Sequence, residues 1–151
     1  MFMFGKRSKE KMVGVHVDLI RVMKRALELS PVDFSITEGL RTAERQKELV
    51  AAGASKTMNS RHITGHAMDV GAFVGSELRW DFGLYLQIAE AVRIASIELN
   101  IPIVWGACWS QVGQTSDLSA SVARYVEQKR RDGGKPLIDG PHFELWKGLY
   151  A

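Results

Sequence analysis

The run Ser60-Arg61-His62-Ile63-Thr64-Gly65-His66-Ala67-Met68-Asp69 and the later run Asp139-Gly140-Pro141-His142-Phe143-Glu144-Leu145 hold three of the chain's four histidines. Residues Ala67 to Phe73 read as a short strand, and strand side chains alternate between faces. Ala67 and Asp69 then point one way, His66 and Met68 the other. Gly65 permits a sharp turn that brings His62 back towards Asp69. Pro141 to Leu145 alternates again, and an adjacent strand would set His142 beside Asp69. Two imidazoles and one carboxylate are a donor set for a catalytic metal that keeps a position open to solvent. Iron(II) accepts the same set, so spacing alone does not choose the metal. Asp139 precedes His142 by three positions, with Gly140 and Pro141 shaping the turn, and is placed to act as an acid/base that does not bind the metal. Glu144 shares the face of His142 and is its rival for that role. His66 is the rival of His62 as a ligand, on the opposite face by alternation.

Working outward, Val13, Val17, Ile20, Met23, Ala26 and Leu27 recur at helical spacing and predict a helix over 12–29, stopped at Ser30-Pro31. His16 falls inside that helix and reads as structural. Phe34 to Thr37 alternates as a half-buried strand ended by Gly39. Thr42 is a cap for a helix over 43–52, with Gly53 after it. The polar stretch 54–64 reads as a loop. Leu84, Ile88, Val92, Ala95 and Leu99 form one face of a helix over 83–99, ended by Asn100 and Pro102. Ile103 to Trp105 predicts a strand, and Ser119 to Arg131 a helix with a basic last turn before Gly133-Gly134. With neither repeats nor a linker, this is one α+β domain over 1–151, with residues 1–11 expected to be loosely ordered.

The chain has 151 residues, 46% hydrophobic and 25% charged, which suits one core and excludes a disordered or fibrous chain. Its apolar runs fall short of the about 20 residues that span a bilayer. The start is apolar before it is basic, the reverse of a secretory signal. A formal net charge of +3 is compatible with an anionic partner without naming one. No groove-reading motif supports a nucleic-acid partner. The single cysteine, Cys108, excludes an internal disulfide and a cysteine-rich zinc knuckle. It lies in the apolar run 101–109 and reads as a buried thiol.

The pattern Ser-x-His-x-x-Gly-x-Ala-x-Asp at Ser60, His62, Gly65, Ala67 and Asp69, followed by Asp-Gly-Pro-His-Phe-Glu at 139–144, resembles the zinc D-Ala-D-Ala carboxypeptidase and L-alanyl-D-glutamate endopeptidase family, which shares a fold with the hedgehog signalling domain. Thr37 to Thr42, Arg45 to Lys47 and Ala54 to Thr57 are similar to its branch of single-domain bacteriophage endolysins. The resemblance covers most of 12–146. It implies a small antiparallel sheet carrying a zinc site, flanked by helices. It implies His62, Asp69 and His142 as zinc ligands and Asp139 as general base. Arg41 would stabilise an oxyanion or hold a substrate carboxylate, and Ser60 would bond locally near the substrate. Relatives commonly carry Trp-Gly-Gly-Asp-Trp where this chain reads Trp105-Gly106-Ala107-Cys108-Trp109, without the acid.

The function expected from that resemblance is hydrolysis of the L-alanyl-D-glutamate bond in peptidoglycan stem peptides by a monomeric phage endolysin. Such an enzyme would wait in the host cytoplasm, without stable membrane association, until released to the wall. A D-Ala-D-Ala carboxypeptidase or dipeptidase is the alternative chemistry, and a non-catalytic, metal-bearing hedgehog-like binding module the alternative class.

Overall fold

The computed structural model describes residues 1–151. Five α-helices, α1 (Lys6–Lys11), α2 (Val17–Leu29), α3 (Ala43–Ala51), α4 (Phe82–Leu99) and α5 (Leu118–Arg131), surround one sheet. Its strands are β1 (Asp33–Glu38), β2 (Ala67–Val74), β3 (Glu77–Arg79), β4 (Ile103–Trp105), β5 (Ser110–Gln111) and β6 (His142–Leu145). The sheet order is β1-β2-β6-β4-β5, with β3 paired to the far half of β2, and every pairing is antiparallel. No helix is long and apolar enough to cross a membrane.

Alternation gives the sheet two unlike faces. Met68, Val70 and Ala72 of β2, with Phe143 and Leu145 of β6, face the core. There they meet Leu19, Val22 and Met23 of α2 and Ile88, Val92 and Ala95 of α4, all fully buried. Each of the larger side chains, Val, Leu, Ile, Met and Phe, contributes about 1.5–3 kcal/mol. The opposite face is left to Asp69, His142 and Glu144. Trp105, fully buried, ties the faces together: its Nε1 donates to the Gly140 carbonyl at 2.7 Å and fixes the turn before β6.

The helix over 43–51 begins as expected, with Thr42 Oγ1 accepting from the Arg45 amide at 3.0 Å. The helix over 83–99 ends at Asn100 in the left-handed conformation, which asparagine tolerates. Three expectations need correction. The first long helix starts at Val17 instead of Met12, because the Asp18 amide donates to His16 Nδ1 at 3.0 Å and makes His16 the cap, outside the helix. Where a loose end was expected, Lys6–Lys11 form α1, which docks on the sheet through Ser8 Oγ, the acceptor of the Ile36 amide at 3.0 Å, and Phe4 packs edge-on against Phe34. The strands β3 and β5 were not anticipated.

Candidate metal centre

Register brings the first pair together. Asp69 on β2 lies directly opposite His142 on β6, and Ala67 opposite Glu144, so both acids and His142 share one face. His62 arrives by another route, from the irregular segment before β2. Its carbonyl accepts from the Arg41 amide at 3.0 Å and its amide donates to Ser60 Oγ at 3.2 Å. Gly65 adopts φ 76°, a conformation that suits glycine; the His66 amide closes the turn on the Arg61 carbonyl at 3.0 Å, and the Gly65 carbonyl receives the His16 amide at 2.8 Å, which ties the turn to the start of α2.

The three side chains converge. His62 Nε2 and His142 Nδ1 each lie 3.2 Å from Asp69 Oδ1, and the imidazole centroids are 5.2 Å apart. Both rings are buried, at 2% and 7% exposure. Hydrogen bonds on the far side of each ring set the tautomers. His62 Nδ1 donates to the Gly39 carbonyl at 2.9 Å, an acceptor that has no proton to give. His142 Nε2 donates to Glu144 Oε1 at 2.8 Å. In their neutral forms, both histidines therefore turn a bare lone pair on the same carboxylate oxygen. Three acceptors meeting in a buried place require a positive charge among them. One ligand atom from each residue fits within 4.8 Å of the others, a grouping able to hold a metal ion. The donor set and the bonds behind each imidazole fit a divalent metal with oriented ligands.

The titration behaviour has the same cause. Burial opposes ionisation of Asp69, yet hydrogen bonds from His142 and then His62 outweigh it and hold the carboxyl well below its usual range. Burial likewise opposes the charged form of His142, but Asp69 and Glu144 outweigh it and push the imidazole up to about 9. A proton thus meets part of the demand that a metal would meet in full.

Asp139 lines the same groove, of about 580 Å³, together with Glu38, Arg41, Lys56, Trp109 and Leu137. Burial first, then the charge of Asp69, raises the Asp139 carboxyl above its ordinary value. The turn carrying it packs on Gly106: the Asp139 amide donates to the Gly106 carbonyl at 2.9 Å, and the Gly106 amide to the His142 carbonyl at 2.8 Å. A Cβ at Gly106 would collide with the Asp139 carbonyl oxygen, so only glycine allows this approach.

Arg41 is buried at the edge of the site. Its guanidinium donates to Glu38 Oε1 and Oε2 at 2.7 and 2.6 Å and to Gln46 Oε1 at 2.7 Å, and lies 3.9 Å from Asp69 Oδ2. Ser60 Oγ accepts from Arg41 at 3.4 Å as well as from the His62 amide. His66 stays outside the cluster, bonded to Thr64 Oγ1 at 2.7 Å with its ring 5.8 Å from that of His16. Glu144, the rival base, is engaged with His142. Cys108 is buried.

Sequence reasoning missed Trp109. It holds a non-glycine φ of 52°, its indole donates to the Leu137 carbonyl at 2.9 Å, and its ring lies 5.3 Å from that of His142. Left-handed backbone at a bulky residue is a strain that clusters at working sites. The recurrence of tryptophan at that position in the family pattern was the available signal.

The fold is that of an L-Ala D-Glu endopeptidase: the crystal structure of Serratia marcescens ChiX, so described, superposes with a TM-score of 0.78 at 42% identity, covering 99% of this chain and 93% of that one. The L-alanyl-D-glutamate peptidase of Escherichia phage T5 is 36% identical over 148 residues, 95% of this chain and 98% of that protein. A protein of the same description from Listeria phage A118 is 32% identical over 83 residues, 55% of this chain and 28% of that one. The family model for phage L-alanyl-D-glutamate peptidase matches residues 1–146, and the chain belongs to that family.

Proposed function

We propose that this chain is a zinc-dependent peptidase that hydrolyses the L-alanyl-D-glutamate bond of peptidoglycan stem peptides and serves a bacteriophage as an endolysin. Support for the bond comes from relatives described by that activity, two of them from phages. Support for the metal comes from one observation above all: the convergence of two imidazole lone pairs and a carboxylate on one buried point.

His62, Asp69 and His142 would hold the zinc. When bound, zinc supplies Lewis acidity, which polarises a peptide carbonyl and makes water more acidic. Asp139 takes the proton of the attacking water as that water's oxygen bonds to the scissile carbonyl carbon. The same carboxyl then delivers the proton to the departing D-glutamate nitrogen as the C–N bond breaks. A carboxyl raised by burial and by Asp69 is suited to both halves of that exchange. Arg41 contributes through its charge on the developing oxyanion or a substrate carboxylate, since Glu38 and Gln46 occupy its donors and lock its place. Ser60 holds the His62 amide and Arg41 beside the groove where the peptide lies.

The whole chain acts as one monomeric peptidase domain on the stem peptide, with neither nucleic acid nor a membrane as partner. It waits in the host cytoplasm and reaches the wall on release. The test is mass spectrometry of purified peptidoglycan digested with and without a chelator. Chelator-sensitive appearance of new D-glutamate amino termini is the expected result. Release of D-alanine alone would assign a carboxypeptidase instead, and intact peptides with bound metal a non-catalytic module.

A further inference from the structure

Arg61 lies between Ser60 and His62, and nothing in the catalytic scheme uses it. Its side chain is 15% exposed, and Glu144, also 15% exposed, is the carboxylate within ion-pair distance. One terminal nitrogen of Arg61 donates to two backbone carbonyls, Leu145 at 3.0 Å and Tyr150 at 2.6 Å. Its Nε is buried without a hydrogen-bond partner and lies 3.5 Å from Glu144 Oε2. The other oxygen of Glu144 accepts from His142 Nε2. Tyr150 is itself anchored, its hydroxyl donating to Asp18 Oδ2 at 2.7 Å and its amide to the Trp146 carbonyl at 3.0 Å.

We infer that Arg61 is a positioning residue of the metal centre, acting on His142 through Glu144. The inference rests on the metal reading proposed above. A glutamate side chain has three torsions and does not fix an imidazole unless its own carboxylate is fixed. The carbonyls of Leu145 and Tyr150 hold the guanidinium but carry no charge to balance it. Glu144 supplies that charge, so the arginine and the carboxylate draw together across the buried 3.5 Å gap. The result is a relay from the turn at 146–150 through Arg61 and Glu144 to the ring nitrogen behind the metal. Groups that orient metal ligands from behind change metal affinity by about 10- to 100-fold when removed.

A plain structural staple between 61 and 150 would also cost stability when cut, so melting temperature does not test the inference. Zinc affinity does. Dissociation constants are measured by competition with a chromophoric chelator for the unmodified chain, Arg61→Ala, Glu144→Ala and the double variant, with melting of each metal-free form alongside. The expected result is at least about tenfold weaker zinc binding in each single variant, with the double variant no weaker than the worse single one, as for residues acting in series. Arg61→Lys with Glu144→Gln forms a second cycle that keeps side-chain bulk should the alanine variants not fold, and the same coupling is expected. Unchanged zinc affinity in the Arg61 variants, or effects that multiply independently, would overturn the inference. Failure of the unmodified chain to bind zinc would instead overturn the metal reading beneath it.

Discussion

Asp69 and His142 reach the candidate metal centre from paired strands, whereas His62 reaches it from a segment with no regular structure. The difference is in what holds each side. The strand pair is fixed by backbone ladder bonds and by a core face in which Met68 and Phe143 are fully buried, so a slip of register would expose that face. His62 is held by a few separate bonds: its amide to Ser60, its carbonyl from Arg41 and Gly65, its Nδ1 to Gly39. A rigid half and a tethered half meet at one oxygen of Asp69. Damage to the first should be cooperative and damage to the second graded.

Four substitutions test that contrast. Asp139→Ala leaves both halves standing, so zinc content should match the unmodified chain while kcat falls by about 10²- to 10⁴-fold, the range for a lost general acid/base. An active, zinc-loaded variant would remove Asp139 from its role. His62→Ala takes the tethered ligand away. Elemental analysis should find the zinc lost after dialysis, while circular dichroism and the strand pairing remain. Gly106→Ala strikes the rigid half, where the new methyl would press on backbone that cannot swing aside. A cost of about 1–3 kcal/mol, read by denaturant melting, should come with lost activity, because Asp139 and His142 move together. Wild-type stability in that variant would show the turn to be more pliable than its packing implies. Ser60→Ala is the mildest: it removes the acceptor of the His62 amide for about 0.5–1.5 kcal/mol, with zinc affinity a few-fold weaker and the fold intact.

The same contrast explains what the sequence disclosed. Strand alternation places Asp69 and His142 on one face and His66 off it, because the period of two is a local property. Thr42, Asn100 and the apolar faces of α2 and α4 are local signals too. Elements whose stability comes from their neighbours were not legible. Lys6–Lys11 shows no apolar periodicity and forms a helix on the sheet through Ser8 and Phe4. Glu77–Arg79 and Ser110–Gln111 are too short to carry a pattern, and are strands because β2 and β4 offer them edges. Glu144 was visible as sharing the face of His142, but its engagement with the ring depends on a rotamer that spacing does not give. The contact of Arg61 with Tyr150 joins positions 89 residues apart and leaves no trace in either segment.

The two imidazoles have their outward-facing protons, on the side away from Asp69, secured by different kinds of partner. Behind His62 stands the main-chain carbonyl of Gly39, where any Cβ would collide with the Lys11 carbonyl, so this acceptor stays in place only while position 39 is glycine. Behind His142 stands a carboxylate that one codon change can neutralise or delete. Inherited variation can therefore retune the second ring by changing one side chain, while at the first it must displace the main chain itself.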